Sequence, residues 1–182
     1  MSQGRGWILA STLALALAVV TGAAAESVTT EAIDPGHPVN GMLVVQGLER
    51  EADVSLFSPF CDPIVTKPGA EARTCSALPA SSRQIFAGYG IWGVSRKIVD
   101  QAWHKRAWGL WIDGRRVNLG RFGTDEHWIP NFAPANGRSV LLRQWAIILV
   151  GAKGTHSIRY RSRLERPGPF SWTTWRFTVP AR

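Results

Sequence analysis

The chain has 182 residues, of which 45% are hydrophobic, and a formal net charge of +8. Beyond the N-terminal region no stretch approaches 18 uninterrupted apolar residues, which argues against a later membrane-spanning helix. The charge is uneven: residues 26–82 hold eight acidic and three basic side chains, a net charge of −5, whereas residues 83–182 hold five acidic and seventeen basic ones, a net charge of +12. A field of this sign favours anionic partners.

The first 25 residues have the pattern of a secretory signal peptide. Arg5 supplies positive charge, residues 7–20 are rich in Ala and Leu, and three alanines precede Glu26. We predict cleavage before Glu26, which places the protein outside the cytoplasm, either secreted or in the cell envelope. The alternative is an uncleaved membrane anchor, because residues 7–25 are nearly long enough to span a bilayer. Residues 26–40, acidic and without periodicity, are predicted to form an extended leader, partly disordered.

Two cysteines, Cys61 and Cys75, are present in the whole chain. In an exported protein such a pair predicts a disulfide, which would stabilise the fold by about 3 kcal/mol. The enclosed segment, residues 62–74 (DPIVTKPGAEART), contains two prolines and a glycine. It predicts a loop rather than a strand pair. Two reduced thiols are the alternative, and the spacing is not that of a zinc motif.

Three short apolar runs in the first half predict strands, namely residues 41–48 (GMLVVQGL), 54–57 and 85–92 (IFAGYGIW). The glycines of the last run suggest a bulge. Residues 95–106 (SRKIVDQAWHKR) are the one helix candidate, with Ser95 as its cap and an apolar stripe formed by Ile98, Val99, Ala102 and Trp103. A strand or a turn is the alternative for that segment.

Residues 108–119 (WGLWIDGRRVNL) predict a β-hairpin around the turn pair Asp113-Gly114. A two-residue turn fixes the register and gives one face the character of a core, with Trp108, Leu110, Ile112, Val117 and Leu119. On the other face Trp111 lies opposite Arg116. An indole and a guanidinium in such a pair attract each other by about 0.5–1 kcal/mol at an exposed site.

Residues 120–138 are rich in turn formers and are predicted to be a long loop that carries Trp128. Residues 139–150 (SVLLRQWAIILV) predict one long strand whose second half is buried on both faces. No internal repeat of fixed period is visible.

The last two predicted strands alternate cleanly between inward and outward side chains. Residues 155–163 (THSIRYRSR) direct one set inward and the arginines outward, the inward set being His156, Ile158 and Tyr160. Residues 171–179 (SWTTWRFTV) direct Trp175, Phe177 and Val179 inward, and the outward set is Trp172, Thr174 and Arg176.

The C-terminal half resembles the closing strands of immunoglobulin-like or fibronectin-like domains of exported bacterial proteins, through the segments WGLWIDGRRV, GTHSIRYR and WTTWRFTV. Together with the short alternating strands and the Gly/Pro turns, it predicts an all-β fold, an antiparallel Ig-like β-sandwich with at most one short helix, as a single domain over residues 41–182. The resemblance implies a binding, adhesive or spacer role. Cys61 and Cys75 lie outside the matched region and are not the inter-sheet pair of antibody domains.

The sequence shows none of the motifs G-x-S-x-G, H-E-x-x-H or S-x-x-K, and no phosphate loop. We therefore assign no catalytic residue, metal ligand or cofactor, and expect no enzyme. Residues 124–127 (TDEH) are the densest polar cluster, which we interpret as a solvated loop rather than a metal or acid–base site. His156 is interpreted as a buried, hydrogen-bonded histidine. Because carboxylate pairs of glycosidases can come from anywhere in a fold, an envelope hydrolase stays as a third hypothesis.

Two surface features point to a ligand. Eight tryptophans remain after signal cleavage, and those predicted to be outward or in a loop are candidate platforms for sugar rings: Trp111, Trp128 and Trp172. Core or edge packing is expected for Trp103, Trp108, Trp145 and Trp175. The second feature is an outward arginine stripe suited to phosphate, sulfate or carboxylate groups, formed by Arg159, Arg161 and Arg163 with Arg176 alongside. A solvated face that protects a sheet edge is the alternative.

The leading hypothesis is an exported, non-enzymatic binding module for an anionic polysaccharide, an envelope surface or a protein partner. Its expected ligand-binding residues are Trp111, Arg116, Trp128, Arg159, Arg161, Arg163, Trp172 and Arg176. The secretory signal disfavours nucleic acid as a partner. The alternative is a structural or protein-interaction domain with no small ligand.

Overall fold

The computed structural model describes residues 31–56, 61–67, 70–75, 78–164 and 171–181, with the backbone alone for 61–67, 70–75 and Leu164. In this part of the chain the protein is mostly β-strand and has one α-helix, which confirms the predicted all-β class with at most one short helix. The immunoglobulin-like assignment stays a prediction. The predicted signal peptide lies outside the described residues.

The described strands, in chain order, are β1 (His37–Val39), β2 (Met42–Gln46), β3 (Val54–Ser55), β4 (Cys61–Lys67), β5 (Ala70–Cys75), β6 (Gln84–Phe86), β7 (Gly90–Gly93), β8 (Arg106–Ile112), β9 (Arg115–Arg116), β10 (Thr124–Phe132), β11 (Arg138–Trp145), β12 (Ile147–Val150), β13 (Gly154–Leu164) and β14 (Ser171–Val179). The helix α1 spans Arg96–His104. Short 3-10 turns are formed by Glu49–Glu51, Leu119–Arg121 and Ala133–Ala135.

These strands form three sheets. The order in the five-stranded sheet is β1-β2-β12-β6-β3, in the six-stranded sheet β4-β5-β14-β13-β8-β9, and in the three-stranded sheet β10-β11-β7. The pairs are antiparallel except for β14 with β5 and β3 with β6, which are parallel. The two larger sheets contribute to one buried core, which includes Val44 and Leu149 from the first and Leu110, Ile158 and Phe177 from the second.

An aromatic cluster joins α1 to the sheets. The ring centroid of Trp103 on α1 lies 4.9 Å from that of Trp108 on β8 and 5.0 Å from that of Trp145 on β11. Tyr89 extends the cluster, at 6.2 Å from Trp108 and 5.5 Å from the buried ring of Trp175. The packing role predicted for these tryptophans is therefore confirmed.

The predicted helix is confirmed with small changes. The hydroxyl of Ser95 accepts a hydrogen bond from the backbone N–H of Ile98 at 3.4 Å and so caps α1. Val99 is fully buried against the three-stranded sheet, but Ile98 is 47% exposed. Ile98 was therefore wrongly predicted to belong to the buried apolar face of the helix.

Two predicted strands are each split between two sheets. The run 85–92 divides into β6 and β7, and the run 139–150 divides at Ala146 into β11 and β12. The two places where these runs pass from one sheet to the other are adjacent, because the N–H of Trp145 donates to Tyr89 O and the N–H of Ala87 donates to Ile147 O. The two runs therefore remain hydrogen-bonded to each other where each of them changes sheet. In the second half of this run, which was predicted to be buried on both faces, residues 146–149 are buried and Trp145 and Val150 are partly exposed.

Two segments predicted to be irregular belong to the fold. Residues 120–138 were predicted to be a loop, but β10 occupies nine of them and pairs with β11, so Trp128 lies on a strand. The predicted extended leader, residues 26–40, also included residues that belong to the fold. Ile33 is fully buried and its N–H donates to Arg116 O, and β1 pairs with β2. The described fold therefore begins before Gly41, the predicted start.

The cysteine segment is a β-hairpin, not the predicted loop. Strands β4 and β5 pair antiparallel, with the backbone of Cys61 directly opposite that of Cys75. Opposed Cα atoms in antiparallel strands are about 4.5–5.5 Å apart, which lies within the span of a disulfide. The predicted bond itself involves side chains outside the described part of the structure and stays a prediction.

We predict that Cys61 and Cys75 form a cross-strand disulfide, so that alkylation of the protein without prior reduction leaves both cysteines unmodified. The double variant Cys61→Ser/Cys75→Ser should lower the free energy of unfolding by about 3 kcal/mol. Mass spectrometry and urea unfolding measure the two effects. Two alkylated thiols in the unreduced protein would contradict the bond.

Candidate functional site

The outer face of the six-stranded sheet gathers arginine and tryptophan side chains from three adjacent strands. On β13, Arg159 lies opposite Trp111 of β8 and Thr174 of β14. Two residues further along, Arg161 lies opposite Trp172 of β14. Side chains at opposed positions of neighbouring strands share a face, so these residues are direct neighbours.

The rings and guanidiniums pack on one another. Arg159 Cζ lies 3.8 Å from the ring centroid of Trp172. Arg161 Cζ lies 5.2 Å from the centroid of Trp111 and 5.5 Å from that of Trp172, and the two indole centroids are 5.9 Å apart. We call these four residues the Arg–Trp stack. The cation nearest to the ring of Trp111 in this stack is Arg161, although Arg116 lies opposite Trp111 in the hairpin register as predicted.

A groove of about 590 Å³ runs beside the Arg–Trp stack. Its walls come from β8, β13, β14 and the β8–β9 turn, and its lining residues are Trp111, Gly114, Ser157, Arg159, Trp172, Thr174 and Arg176. None of these described lining residues is acidic. The groove therefore offers cations and aromatic edges to a ligand without a neighbouring carboxylate in its wall.

Gly109 makes room for the ring of Trp111. A Cβ atom at this position would lie 2.7 and 2.8 Å from two carbons of that indole, which is too close for van der Waals contact. The ring therefore lies over the strand backbone at Gly109, next to Arg161. Sequence reasoning missed this role, although a glycine two residues before an outward tryptophan shares its face and is a usable signal.

The β8–β9 turn at one end of the groove is held by hydrogen bonds to the carboxylate of Asp113. Asp113 has a φ of 48° and Gly114 a φ of 80°, as a type I′ turn requires. The carboxylate of Asp113 contacts His156 Nδ1 at 2.8 Å and accepts from the N–H of Ser157 at 2.7 Å, and Asn40 donates to it at 3.1 Å.

His156 is 3% exposed, and its Nε2 lies 3.0 Å from Lys153 O. Both ring nitrogens therefore face oxygen atoms, which fixes the orientation of the imidazole ring. Burial opposes ionisation of Asp113, but the hydrogen bonds from His156, Ser157 and Asn40 outweigh it and hold the pKa of that carboxyl below its ordinary value. The predicted buried, hydrogen-bonded His156 is confirmed.

The structure brings together five of the eight predicted ligand-binding residues around the groove: Trp111, Arg159, Arg161, Trp172 and Arg176. Arg116 lies on the edge strand β9, and Arg163 continues the arginine line of β13 opposite Ala107. Trp128 lies apart on β10 of the three-stranded sheet and is 53% exposed. The sequence missed Ser157, Thr174 and Gly114 as lining residues.

The cluster at residues 124–127 lies on β10 rather than in a solvated loop. Glu126 forms ion pairs with Arg143 and, at 2.5 Å, with Arg96 of α1. Burial opposes ionisation of Glu126, but these two arginines hold its pKa below the ordinary value. The carboxylate therefore ties α1 to β10 and β11. Among the described residues, no three side chains of types that bind metals come together.

The chain matches no protein family model, no curated protein and no solved structure. The described helix is neither long enough nor apolar enough to cross a membrane. The assignment of the candidate site is therefore based on the geometry of its residues alone.

We predict that Asp113→Asn lowers the free energy of unfolding by about 1.5–3 kcal/mol at neutral pH, the usual loss for a hydrogen bond to a charged group. Asparagine tolerates the positive φ, so the change isolates the charge. The folded pKa of Asp113 is depressed, so its contribution is present above the unfolded value of about 3.9 and is lost as pH falls through the folded pKa. In urea unfolding at a series of pH values the two proteins should converge in acid. A difference that persists there would contradict this assignment.

We predict that Gly109→Ala displaces the indole of Trp111 from Arg161 and changes the free energy of unfolding by no more than about 1 kcal/mol, since alanine is favoured over glycine in a strand. The indole N–H resonance of Trp111 should shift in NMR spectra. Gly120→Ala is the matched control, because the nearest atom to its added Cβ is at 3.6 Å, an ordinary contact. An unmoved Trp111 resonance in Gly109→Ala would refute the spacer role.

Proposed function

We propose that this protein is an exported, non-enzymatic binding module, and that the outer face of its six-stranded sheet binds an anionic polymer. The ligand class is a glycan or other surface polymer that carries phosphate, sulfate or carboxylate groups. The observation that carries the proposal is that Arg159, Trp111 and Trp172 of the Arg–Trp stack line one groove together with Arg176.

Charge supports this ligand class. The groove lies in the part of the chain that carries the net charge of +12. Arg159 and Arg176 are exposed, and no described residue of the groove wall is acidic. Guanidiniums bind oxyanions through two parallel N–H donors, which gives both energy and orientation.

The packing argues against a neutral glycan as the ligand. A sugar ring stacks on the open face of an aromatic side chain. Here guanidiniums lie over the indoles of Trp111 and Trp172, which are themselves half-buried. The aromatic residues therefore serve to hold the arginines, and the arginines meet the ligand.

The test is retention on immobilised dextran sulfate at increasing salt, with unsubstituted dextran as the neutral polymer. The protein should bind dextran sulfate and not dextran, and should elute as salt screens the charges. The triple variant Arg159→Gln/Arg161→Gln/Arg176→Gln should lose more than about tenfold in affinity, because three charge-assisted contacts are removed. Its fold should persist, since these side chains lie outside the core.

A second triple variant, Arg50→Gln/Arg83→Gln/Lys97→Gln, removes the same charge from exposed positions on other elements. It should keep most of the affinity. Equal losses in the two variants would mean that net charge alone is responsible, and the proposal would be wrong. Retention on plain dextran would instead favour sugar stacking.

A further inference from the structure

Two short side chains that carry hydroxyl groups lie beside the arginines in the groove. Ser157 on β13 and Thr174 on β14 both line it, and both are half-buried, whereas Arg159 and Arg176 are exposed. Ser157 lies directly opposite Arg176, and Thr174 lies directly opposite Arg159. Side chains in such cross-strand pairs have Cβ atoms about 4.5–5.5 Å apart. Each hydroxyl is therefore carried by the direct neighbour of a groove arginine.

The two hydroxyls differ in their partners. Ser157 Oγ lies 3.5 Å from a carboxylate oxygen of Asp113, and the Ser157 N–H donates to the same oxygen at 2.7 Å. Ser157 is therefore tied to the β8–β9 turn. Among the described residues, the hydroxyl of Thr174 has no hydrogen-bond partner. Thr174 is therefore the residue whose hydroxyl is available to donate to a ligand in the groove.

Thr174 also lies between the two groove cations along β14. The residues that alternate on the outer face of this strand are Trp172, Thr174 and Arg176. The guanidinium of Arg159 packs on the first of them, with its Cζ 3.8 Å from the ring centroid of Trp172. A cation therefore lies on either side of Thr174 in the direction of the strand. The groove combines charged donors with a neutral hydroxyl donor.

This combination distinguishes between kinds of oxyanion. A carboxylate has two oxygens in one plane, and the fork of one guanidinium satisfies both of them. A terminal phosphate or sulfate ester has three oxygens that point in different directions, so it can accept from a guanidinium and from a further donor at the same time. A hydrogen bond to a charged group adds more affinity than one between neutral groups. A hydroxyl beside the cations therefore favours the tetrahedral ester.

We infer that the groove prefers terminal sulfate or phosphate ester groups to carboxylates, and that Thr174 is the residue that sets this preference. This inference rests on the proposed function and narrows its ligand class. In it Arg159 and Arg176 attract both kinds of anion. The hydroxyl of Thr174 donates to the additional oxygen that only the tetrahedral group offers.

The experiment compares dextran sulfate with carboxymethyl dextran of the same chain length and degree of substitution. Each substituent carries one negative charge at neutral pH, so the two polymers differ in the shape of the anion at equal charge. Dissociation constants of the full protein are measured by titration calorimetry at constant ionic strength. Dextran sulfate should bind about fivefold more tightly. Equal affinities, or tighter binding of carboxymethyl dextran, would overturn the inference.

Dextran phosphate, matched to dextran sulfate in total charge, separates the two possible esters. Both ester polymers should bind more tightly than carboxymethyl dextran, and the tighter of the two identifies the ester that the groove takes. If dextran phosphate binds no better than carboxymethyl dextran, the class of tetrahedral esters is too broad and the inference as stated is wrong.

The variant Thr174→Val removes the hydroxyl and keeps the branched shape that suits a strand. It should lose about fivefold in affinity for dextran sulfate and keep its affinity for carboxymethyl dextran. Thr174→Ser retains the hydroxyl and should retain the preference. The matched control is Thr124→Val, at an exposed position on β10 of the three-stranded sheet, which should behave as the wild type. A preference that survives in Thr174→Val would show that Thr174 does not set it.

The two proposals fail in different ways. The variant Arg159→Gln/Arg161→Gln/Arg176→Gln measures the preference that a basic protein shows without the groove arginines, and this background should be absent or small. If dextran sulfate binds through the groove arginines but Thr174→Val leaves the preference unchanged, the inference about Thr174 is wrong and the proposed function stands. If neither dextran sulfate nor carboxymethyl dextran binds in the groove, both are wrong.

Discussion

The alternation of side chains along β13 is the constraint on which both the core and the candidate site depend. His156, Ile158 and Tyr160 are buried, so the arginines between and beyond them must lie on the outer face. A slip of one residue would bury those guanidiniums, at a cost of several kcal/mol for each ion. It would also expose Tyr160, whose hydroxyl now donates to Ala87 O at 2.9 Å. The register of β13 with β8 and β14 is therefore strongly specified, and with it the neighbours of each arginine.

The tryptophans of the outer face explain how the sheet tolerates a line of like charges. Arginines on adjacent positions of one face repel each other by a few tenths to about 1 kcal/mol. A guanidinium over an indole gains about 0.5–1 kcal/mol, which is of the same size. Arg159 lies over Trp172 and Arg161 lies near both rings, so these contacts offset part of the repulsion.

The sequence predicted the parts of the structure that follow from local alternation, and missed those that depend on distant pairing. The turn at Asp113, the faces of β13 and β14 and the cap at Ser95 are local and were predicted correctly, although the second strand of the hairpin ends at Arg116 and Leu119 lies in a 3-10 turn. The breaks at residues 87–89 and Ala146 fall in runs that are apolar on both faces, so no change of period marks them. The hairpin register gave Trp111 the partner Arg116, but the arginine on its ring comes from β13, whose pairing with β8 spans about 50 residues of chain. The residue types of the candidate site could therefore be predicted from the sequence, whereas the contacts between the arginines and the tryptophans depend on the long-range strand register.

The position of the site within the sheet limits the kind of ligand that it can bind. Strands β14, β13 and β8 lie in the interior of the six-stranded sheet, between β5 on one side and the two-residue edge strand β9 on the other. The backbones of β13 and β14 are paired on both sides, so a peptide cannot bind to these two strands by adding a strand. A ligand of the proposed kind would therefore be contacted by side chains whose positions follow from the register of β13 with β8 and β14, on a sheet whose inner face is the core of the protein.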